Sequence, residues 1–345
     1  VTYIDISIDE MGVITMTNDG NGIDVAKHPE HQLWIPEMIF GHLRTSTNYN
    51  KEEKKIVGGK NGFGFKLVLI WSEWGEIETF DHIRKLKYKQ RFTDNLNTIH
   101  EPEVKKGSGK PFTRITFKPD YKRFGIASGV LPEVMRSLLE RRIYDIAAVT
   151  DKKVIVKYNG KPLEIKTFIQ YVEMYIGKTA VRERAYEESD PRWEYCVCCS
   201  DTDKFEQVSF VNGICTSKGG VHVDVVVKLL ITGIVKYMKR KHKKDILEKY
   251  VKNHLCIYLN CVIEDPSFSS QIKDTLITPK SKFGSKPEIS DKFIKDLCDS
   301  GLSEKVLQFS EFKEKTLEKK TNGVKKSKIN IPKLDDANWA GGRKS

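Results

Sequence analysis

The chain has 345 residues, 39% of them hydrophobic, and 59 lysines and arginines against 47 aspartates and glutamates, a formal net charge of +12. That apolar content is enough for globular packing, and the length exceeds what one core usually organises, so two domains are expected. The basic excess suits an anionic polymer better than a small neutral ligand, and the apolar run Val225 to Val235 is too short, and too interrupted by Lys228, to span a bilayer.

Tyr3 to Ile8 and Val13 to Thr17 alternate apolar and polar residues around a Glu10-Met11-Gly12 turn, the pattern of a β-hairpin. The second strand delivers Asn18-Asp19-Gly20-Asn21-Gly22-Ile23 to a defined place. The Asn18 amide matches the donor and acceptor pair on adenine, and Gly20 and Gly22 leave room for a purine. An ordinary Asn-Asp-Gly hairpin turn has the same composition. A helix is expected over 35–43. The run Gly59-Lys60-Asn61-Gly62-Phe63-Gly64-Phe65-Lys66 follows, entering a helix over 62–72. Glycines let a backbone approach phosphates closely, N–H groups at a helix start attract anions, and Lys66 adds a point charge. The spacing GxxGxGxK is neither the Walker pattern nor the Rossmann order GxGxxG. Alone it reads as a surface turn. Paired with the turn at Asn18 to Gly22, it points to one nucleotide pocket.

Antiparallel strands are expected through 75–118, a long amphipathic helix from Leu131 to Val149, and a hairpin turn at Asn159-Gly160. From about Gly177, the charged Arg182, Glu183 and Arg184 and the strand-like Trp193 to Cys199 mark a new domain. Its long helix, Val221 toward Lys241, has apolar residues at Val225, Val226, Leu229, Leu230, Ile234 and Tyr237, most simply a core stripe. The helix ends in Lys239-Arg240-Lys241-His242-Lys243-Lys244. Such a run is either a solvated helix end complementing the macrodipole or a phosphate-binding patch. Lys313 to Lys328 reads as a helix followed by a linker. Cys196, Cys198 and Cys199 lack a second ligand pair for zinc, and the other cysteines read as reduced core fillers. The histidines form no HExxH pair, and His222 reads as structural. Asp335 and Asp336 read as solvated, so no metal is assigned.

These motifs resemble the eukaryotic-type DNA topoisomerase II family, type IIA enzymes whose ATPase belongs to the GHKL class. The resemblance runs through NDGNGI at 18–23, IPEMIFGHLRTSTNY at 35–49, GGKNGFGFK at 58–66, RITFKPD at 114–120, TSKGGVHVD at 216–224, SQIKDTLITPKSKFGS at 270–285 and IPKLDDANWAGGRKS at 331–345. It implies an α/β fold: a two-layer GHKL ATPase sandwich, N-terminally incomplete, over 1–177, an α/β transducer over 178–330, and the start of a TOPRIM region over 331–345. It implies ATP and Mg2+ as cofactors, double-stranded DNA as partner, and a homodimer closed through the ATPase gate.

Carried over by position, the resemblance gives Asn18 the adenine, with Gly20 and Gly22 beside it. Ser46, Thr47 and Asn48 meet ribose and phosphates, and Gly59, Lys60, Asn61, Gly62, Phe63, Gly64 and Lys66 surround the triphosphate. Gln271 and Lys273 reach from the transducer to the terminal phosphate as the catalytic pair, and Lys239, Arg240, Lys241, Lys243 and Lys244 face duplex DNA. This sequence departs from the family at Lys60 for arginine, Phe63 for tyrosine, Phe65 for alanine and Ile272 for threonine. The family's general-base glutamate and magnesium-binding asparagine precede the first strand present here, so the chain reads as an internal fragment. The alternatives are an ATP-gated DNA clamp that does not hydrolyse, or another GHKL ATPase such as MutL. The expected location is intracellular: the nucleus for a cellular source, the host cell or virion for a large DNA virus.

Overall fold

The computed structural model describes residues 1–43, 56, 59, 62–179 and 182–321. The alternation at the start of the chain produces the expected hairpin of β1 (Tyr3–Ile8) and β2 (Ile14–Asn18). It joins β3 (Ser72–Asp81), β4 (Leu86–Thr93), β5 (Thr98–Ile99), β6 (Glu103–Lys106), β7 (Phe112–Pro119), β8 (Ile155–Tyr158) and β9 (Lys161–Pro162) in one sheet. The order is β5-β4-β3-β7-β2-β1-β8-β9, with β6 also on β4. Only the β1–β8 contact within it is parallel.

The registers line side chains up in rows across this sheet. One row holds Ile8, Ile14, Phe117, Gly75 and Phe92, the next Ile6, Met16, Ile115, Ile77 and Gln90, and the third Ile4, Asn18, Thr113, Thr79 and Tyr88. Strand geometry gives these rows a common face. The helices α1 (Ile35–Gly41), α2 (Gly64–Ile70) and α3 (Glu133–Val149) cover that face, through Phe40, Leu69, Ile143 and Ala147. The opposite face is solvated and laced with ion pairs, Lys89 to Glu76 at 2.9 Å and Lys118 to Glu73 at 2.8 Å among them. One covered and one solvated face explain the alternating sequence of these antiparallel strands.

The second sheet reads differently because both its faces are covered. It comprises β10 (Ala185–Asp190), β11 (Trp193–Cys199), β12 (Glu206–Val211), β13 (Ile214–Cys215) and β14 (Leu255–Cys261), in the order β10-β11-β14-β12-β13. Trp193, Tyr195 and Val197 of β11 face α5 (Val221–His242), α7 (Asp291–Leu297) and their neighbours. Cys196 and Cys198 face α4 (Phe168–Ile176) together with Cys256, Tyr258 and Phe210. The helices α6 (Glu248–Asn253) and α8 (Ser303–Thr321) complete the first of these layers.

Cys196 and Cys198 of β11 are therefore apolar filling. The side of α5 that is buried runs through Val223, Val226, Val227, Leu230, Ile231, Ile234, Tyr237 and Met238, overlapping the expected stripe. The boundary expected at 177 falls behind a helix that shares its core with the second sheet and with Ala148 at the end of α3. Of the charged residues there, Arg184 ties down α4: it is bonded to Glu173 at 2.7 Å and to the Gly177 carbonyl at 2.6 Å.

Candidate functional site

Asn18 is the last residue of β2, in the third row, with Thr113 beside it on β7 and Thr79 one strand further along on β3. Their hydroxyl oxygens are 3.4 Å apart. Thr79 donates to the Phe112 carbonyl at 2.9 Å and accepts from the Ile23 N–H at 2.9 Å, which fastens the glycine turn to β3. Gly22 is part of the same fastening: at φ +77°, a Cβ on it would lie 2.2 Å from the carbonyl oxygen of Phe80. Gly20 is under no such constraint, its nearest neighbour to an added Cβ being a Val1 methyl at 3.3 Å. Asp19 turns toward the start of the chain. Burial opposes its charge, but the Thr2 hydroxyl and the Tyr3 and Thr2 N–H groups outweigh it and hold the carboxyl at about 2. Thr79 and Thr113 were not singled out in the sequence, because only the register brings them into one row with Asn18.

A second group of residues lines a cleft of about 430 Å³. Gly59, Gly62, Phe63 and Gly64 form one wall, and Pro266, Ser267, Phe268, Ser270, Gln271 and Lys273 the other. Two runs more than 200 positions apart in the sequence thus line one cleft. A Cβ added to Gly59 or Gly64 would meet nothing within 4 Å. These glycines leave open space beside the backbone rather than relieving a packing clash, as a close-approaching ligand requires.

Lys66 departs from expectation. It is 3% exposed on α2 and does not line the cleft, and desolvation lowers its ammonium from the ordinary lysine value. The reason is helical phase: in the first turn of α2, Lys66 shares the buried side with Leu69. Phe65 packs edge-on against Phe40 and Phe117, with ring centres 5.1 and 5.8 Å apart, so it fills core space and leaves the cleft open. Ser46, Thr47, Asn48, Lys60 and Asn61 lie outside the described residues.

The wall carrying Gln271 and Lys273 is a narrow excursion closed at its base by a Phe268–Leu276 bridge and by Leu276 pairing with Gly220. At its tip the Lys273 N–H donates to the Ser270 carbonyl at 3.1 Å, Lys273 adopts φ +62°, and Ile272 is 82% exposed.

A family model described as DNA gyrase B matches residues 165–325. "Probable DNA topoisomerase 2" of Dictyostelium discoideum is 42% identical over 352 residues, 99% of this chain and 23% of that protein. DNA topoisomerase 2 of Drosophila melanogaster is 42% identical over 351 residues, 99% of this chain and 24% of that protein. The crystal structure of the ATPase region of Saccharomyces cerevisiae topoisomerase II superposes with a TM-score of 0.82 at 38% identity, covering 89% of this chain and 80% of that one. The chain belongs to the DNA topoisomerase II family. The ATPase and transducer domains of the Balamuthia mandrillaris topoisomerase II superpose with a TM-score of 0.86 at 36% identity, over 91% of this chain and 80% of that one. The chain spans about a quarter of the length of the curated topoisomerase II relatives it matches, 23% and 24% for the two named above.

Within this topoisomerase II region, the basic end of α5 is partly neutralised from within. Lys239 pairs with Asp245 at 2.8 Å, Lys241 with Asp299 at 2.7 Å, and Lys244 with Glu311. Arg240 lies over the Tyr237 ring, and Lys243 ends the helix in the left-handed region.

Among the described residues, His28, Glu30 and His31 offer ligand atoms within 4.8 Å of one another. However, His28 Nδ1 accepts from the Glu30 and His31 N–H groups, whereas a metal-bound imidazole needs its other nitrogen to donate. Of the described acids on α1, Glu37 accepts from Gln90 at 3.1 Å, contacts His42 at 3.5 Å, and does not line the cleft.

Proposed function

We propose that this chain binds ATP in the cleft between the Gly59–Gly64 run and the Gln271–Lys273 tip, and that it is the gate region of an ATP-dependent type IIA topoisomerase. One observation carries the reading: both runs line a single cleft. Asn18 and Thr113 supply amide and hydroxyl partners for the base at the end of β2, and the open space beside Gly59 and Gly64 admits phosphates. Lys273 neutralises charge that develops on the terminal phosphoryl oxygens. Loss of that phosphate removes the partner of Gln271 and Lys273 and frees the tip, a switch of the ordering kind. Mg2+ accompanies the triphosphate as its counter-ion, and no described side chain of this chain is assigned to it.

In the complete protein, nucleotide binding closes a homodimeric gate around one duplex, which passes through a transient break in another. The basic end of α5 contacts the phosphates of that duplex without reading sequence. The chain divides into an ATP-binding domain to about 177, a transducer to about 330 and the start of a TOPRIM region. It works inside the cell, in the nucleus or, for a viral source, in the host cell or virion.

Calorimetric titration with a non-hydrolysable ATP analogue and Mg2+ tests the reading. Binding that Lys273→Ala weakens supports it, and no binding overturns it. A second reading, a clamp that binds without hydrolysing, is favoured by the lining of the cleft, which includes no carboxylate among the described residues. Steady-state turnover with and without duplex DNA separates the two.

A further inference from the structure

The tip that carries Gln271 and Lys273 includes a strained residue. Lys273 adopts φ +62°, a backbone conformation that costs an L-residue with a long side chain roughly 1–2 kcal/mol. Within the excursion its local supports are the hydrogen bond to the Ser270 carbonyl and, across the tip, the Ser269 N–H donating to the Thr275 carbonyl at 3.0 Å. The next residue, Asp274, is gripped twice by a segment distant in sequence. Its carbonyl accepts from the Lys218 N–H at 2.9 Å, and its carboxylate meets the Lys218 ammonium at 2.7 Å. Thr275 adds a hydroxyl contact to the same carboxylate at 3.3 Å.

The segment that does the gripping is itself rigid. Thr216 exchanges hydrogen bonds with Ser209 and meets the buried His222 at 3.0 Å, and Gln207 donates to the Ser217 carbonyl at 2.9 Å. Gly219 accepts from the Leu276 N–H at 3.0 Å. At Gly220, φ +132°, an added Cβ would lie 2.3 Å from the Leu276 carbonyl oxygen. The excursion is thus moored on one side of its base by backbone contact at Leu276 and near its tip by Asp274.

We propose that Asp274 is a positioning residue for the phosphate-facing tip, with Lys218 as its clamp, and that this pair sets how strongly the cleft distinguishes ATP from ADP. The proposal rests on the nucleotide reading of the cleft given above. The Lys218 side chain is 74% exposed, and an ion pair with so exposed a partner contributes little to global stability. Its value is local: it holds the residue after Lys273 so that Gln271 and Lys273 stay on the cleft wall. Only a ligand with a terminal phosphate benefits, because only that phosphate is the partner of the tip. Releasing the clamp therefore lowers triphosphate affinity and leaves diphosphate affinity alone.

The test is calorimetric titration of the 345-residue chain, with Mg2+ present, using a non-hydrolysable ATP analogue and, separately, ADP. Asp274→Ala and Lys218→Ala are each expected to weaken the analogue about tenfold while ADP binding stays within about twofold. The charge swap that combines Lys218→Asp with Asp274→Lys is expected to recover most of the lost affinity, which a generally damaged fold would not do. Equal losses for both nucleotides, or no recovery in the swap, overturn the clamp. If the unsubstituted chain binds the analogue and Lys273→Ala weakens it while Asp274→Ala does not, the clamp alone falls. If the unsubstituted chain binds neither nucleotide, the nucleotide reading falls with it.

Discussion

The backbone of Gly22 lies directly against the carbonyl of Phe80: a Cβ on Gly22 would be 2.2 Å from that oxygen. The contact joins the end of β2 to the end of β3, and it is reinforced by the Ile23 N–H bonding the Thr79 hydroxyl and the Val25 N–H bonding Asp81. The glycine turn after Asn18 is therefore part of the scaffold before it is part of any ligand site.

Gly22→Ala tests this directly. The alanine meets both a positive φ and a backbone oxygen that cannot swing aside, so the strand ends must separate. The expected loss is about 3 kcal/mol in urea unfolding. Gly20→Ala, where an added Cβ comes no closer than 3.3 Å to a neighbour, is expected to cost less than about 1 kcal/mol. Similar losses at the two glycines would refute the assignment.

Phe65 bears on a different question, whether a large ring beside the glycine run obstructs the cleft. Its edge-on packing with Phe40 and Phe117 makes it a core residue. Phe65→Ala is expected to destabilise by about 3 kcal/mol, since it removes a ring from between two others, without strengthening nucleotide binding. A gain in affinity on titration with an ATP analogue would show that the ring narrows the site.

Much of the first sheet was legible because one of its faces is solvated: alternation from Tyr3 to Thr17 and through 75–118 has a direct physical cause. In the second sheet the strand-like Trp193 to Cys199 is β11, but the remaining strands were not legible, since a strand covered on both sides carries no period of two. Nor could alternation give register, and so Thr79 and Thr113 were not placed in one row with Asn18. The convergence of the glycine run with Gln271 and Lys273 came from the family resemblance, as no local pattern connects segments so distant. The burial of Lys66 was not legible from its charge, because it follows from helical phase, which puts it beside Leu69 on the buried side of α2.

His222 gives the fold an acid-sensitive point. It is fully buried at the start of α5, with Nε2 bonded to Thr216, and burial pushes the imidazole down from 6.5 to about 3. The unfolded chain therefore takes up this proton first. The contribution to stability is complete above about 6.5 and is lost as pH falls toward about 3, on the order of 1 kcal/mol per pH unit. Asp19 and Asp81, held at about 2 from 3.8, enter only at lower pH. Urea unfolding between about pH 6 and about pH 4.5 should show the slope, and His222→Leu should flatten it. An unchanged slope in that variant would assign the acid sensitivity elsewhere.

The basic end of α5 yields a prediction opposite to the usual loss on mutation. Lys241 is already bound to Asp299 at 2.7 Å, and Tyr237 donates to the same carboxylate at 2.9 Å. A duplex approaching this helix end must compete with Asp299 for the ammonium and is also repelled by the carboxylate itself. Asp299→Asn keeps a hydrogen-bond acceptor for Tyr237 while removing the charge. If Lys241 faces DNA phosphates, the variant should bind duplex DNA several-fold more tightly, and the slope of log K against log salt should steepen by about 1, because one more counterion is released on binding. Fluorescence anisotropy across a salt series reads both quantities. Lys241→Ala should weaken binding about uniformly across sequences and cancel the gain when combined with Asp299→Asn. If Asp299→Asn leaves affinity and slope unchanged, Lys241 serves the α5–α7 junction alone, and the phosphate contacts of this surface fall to Arg240 and Lys243.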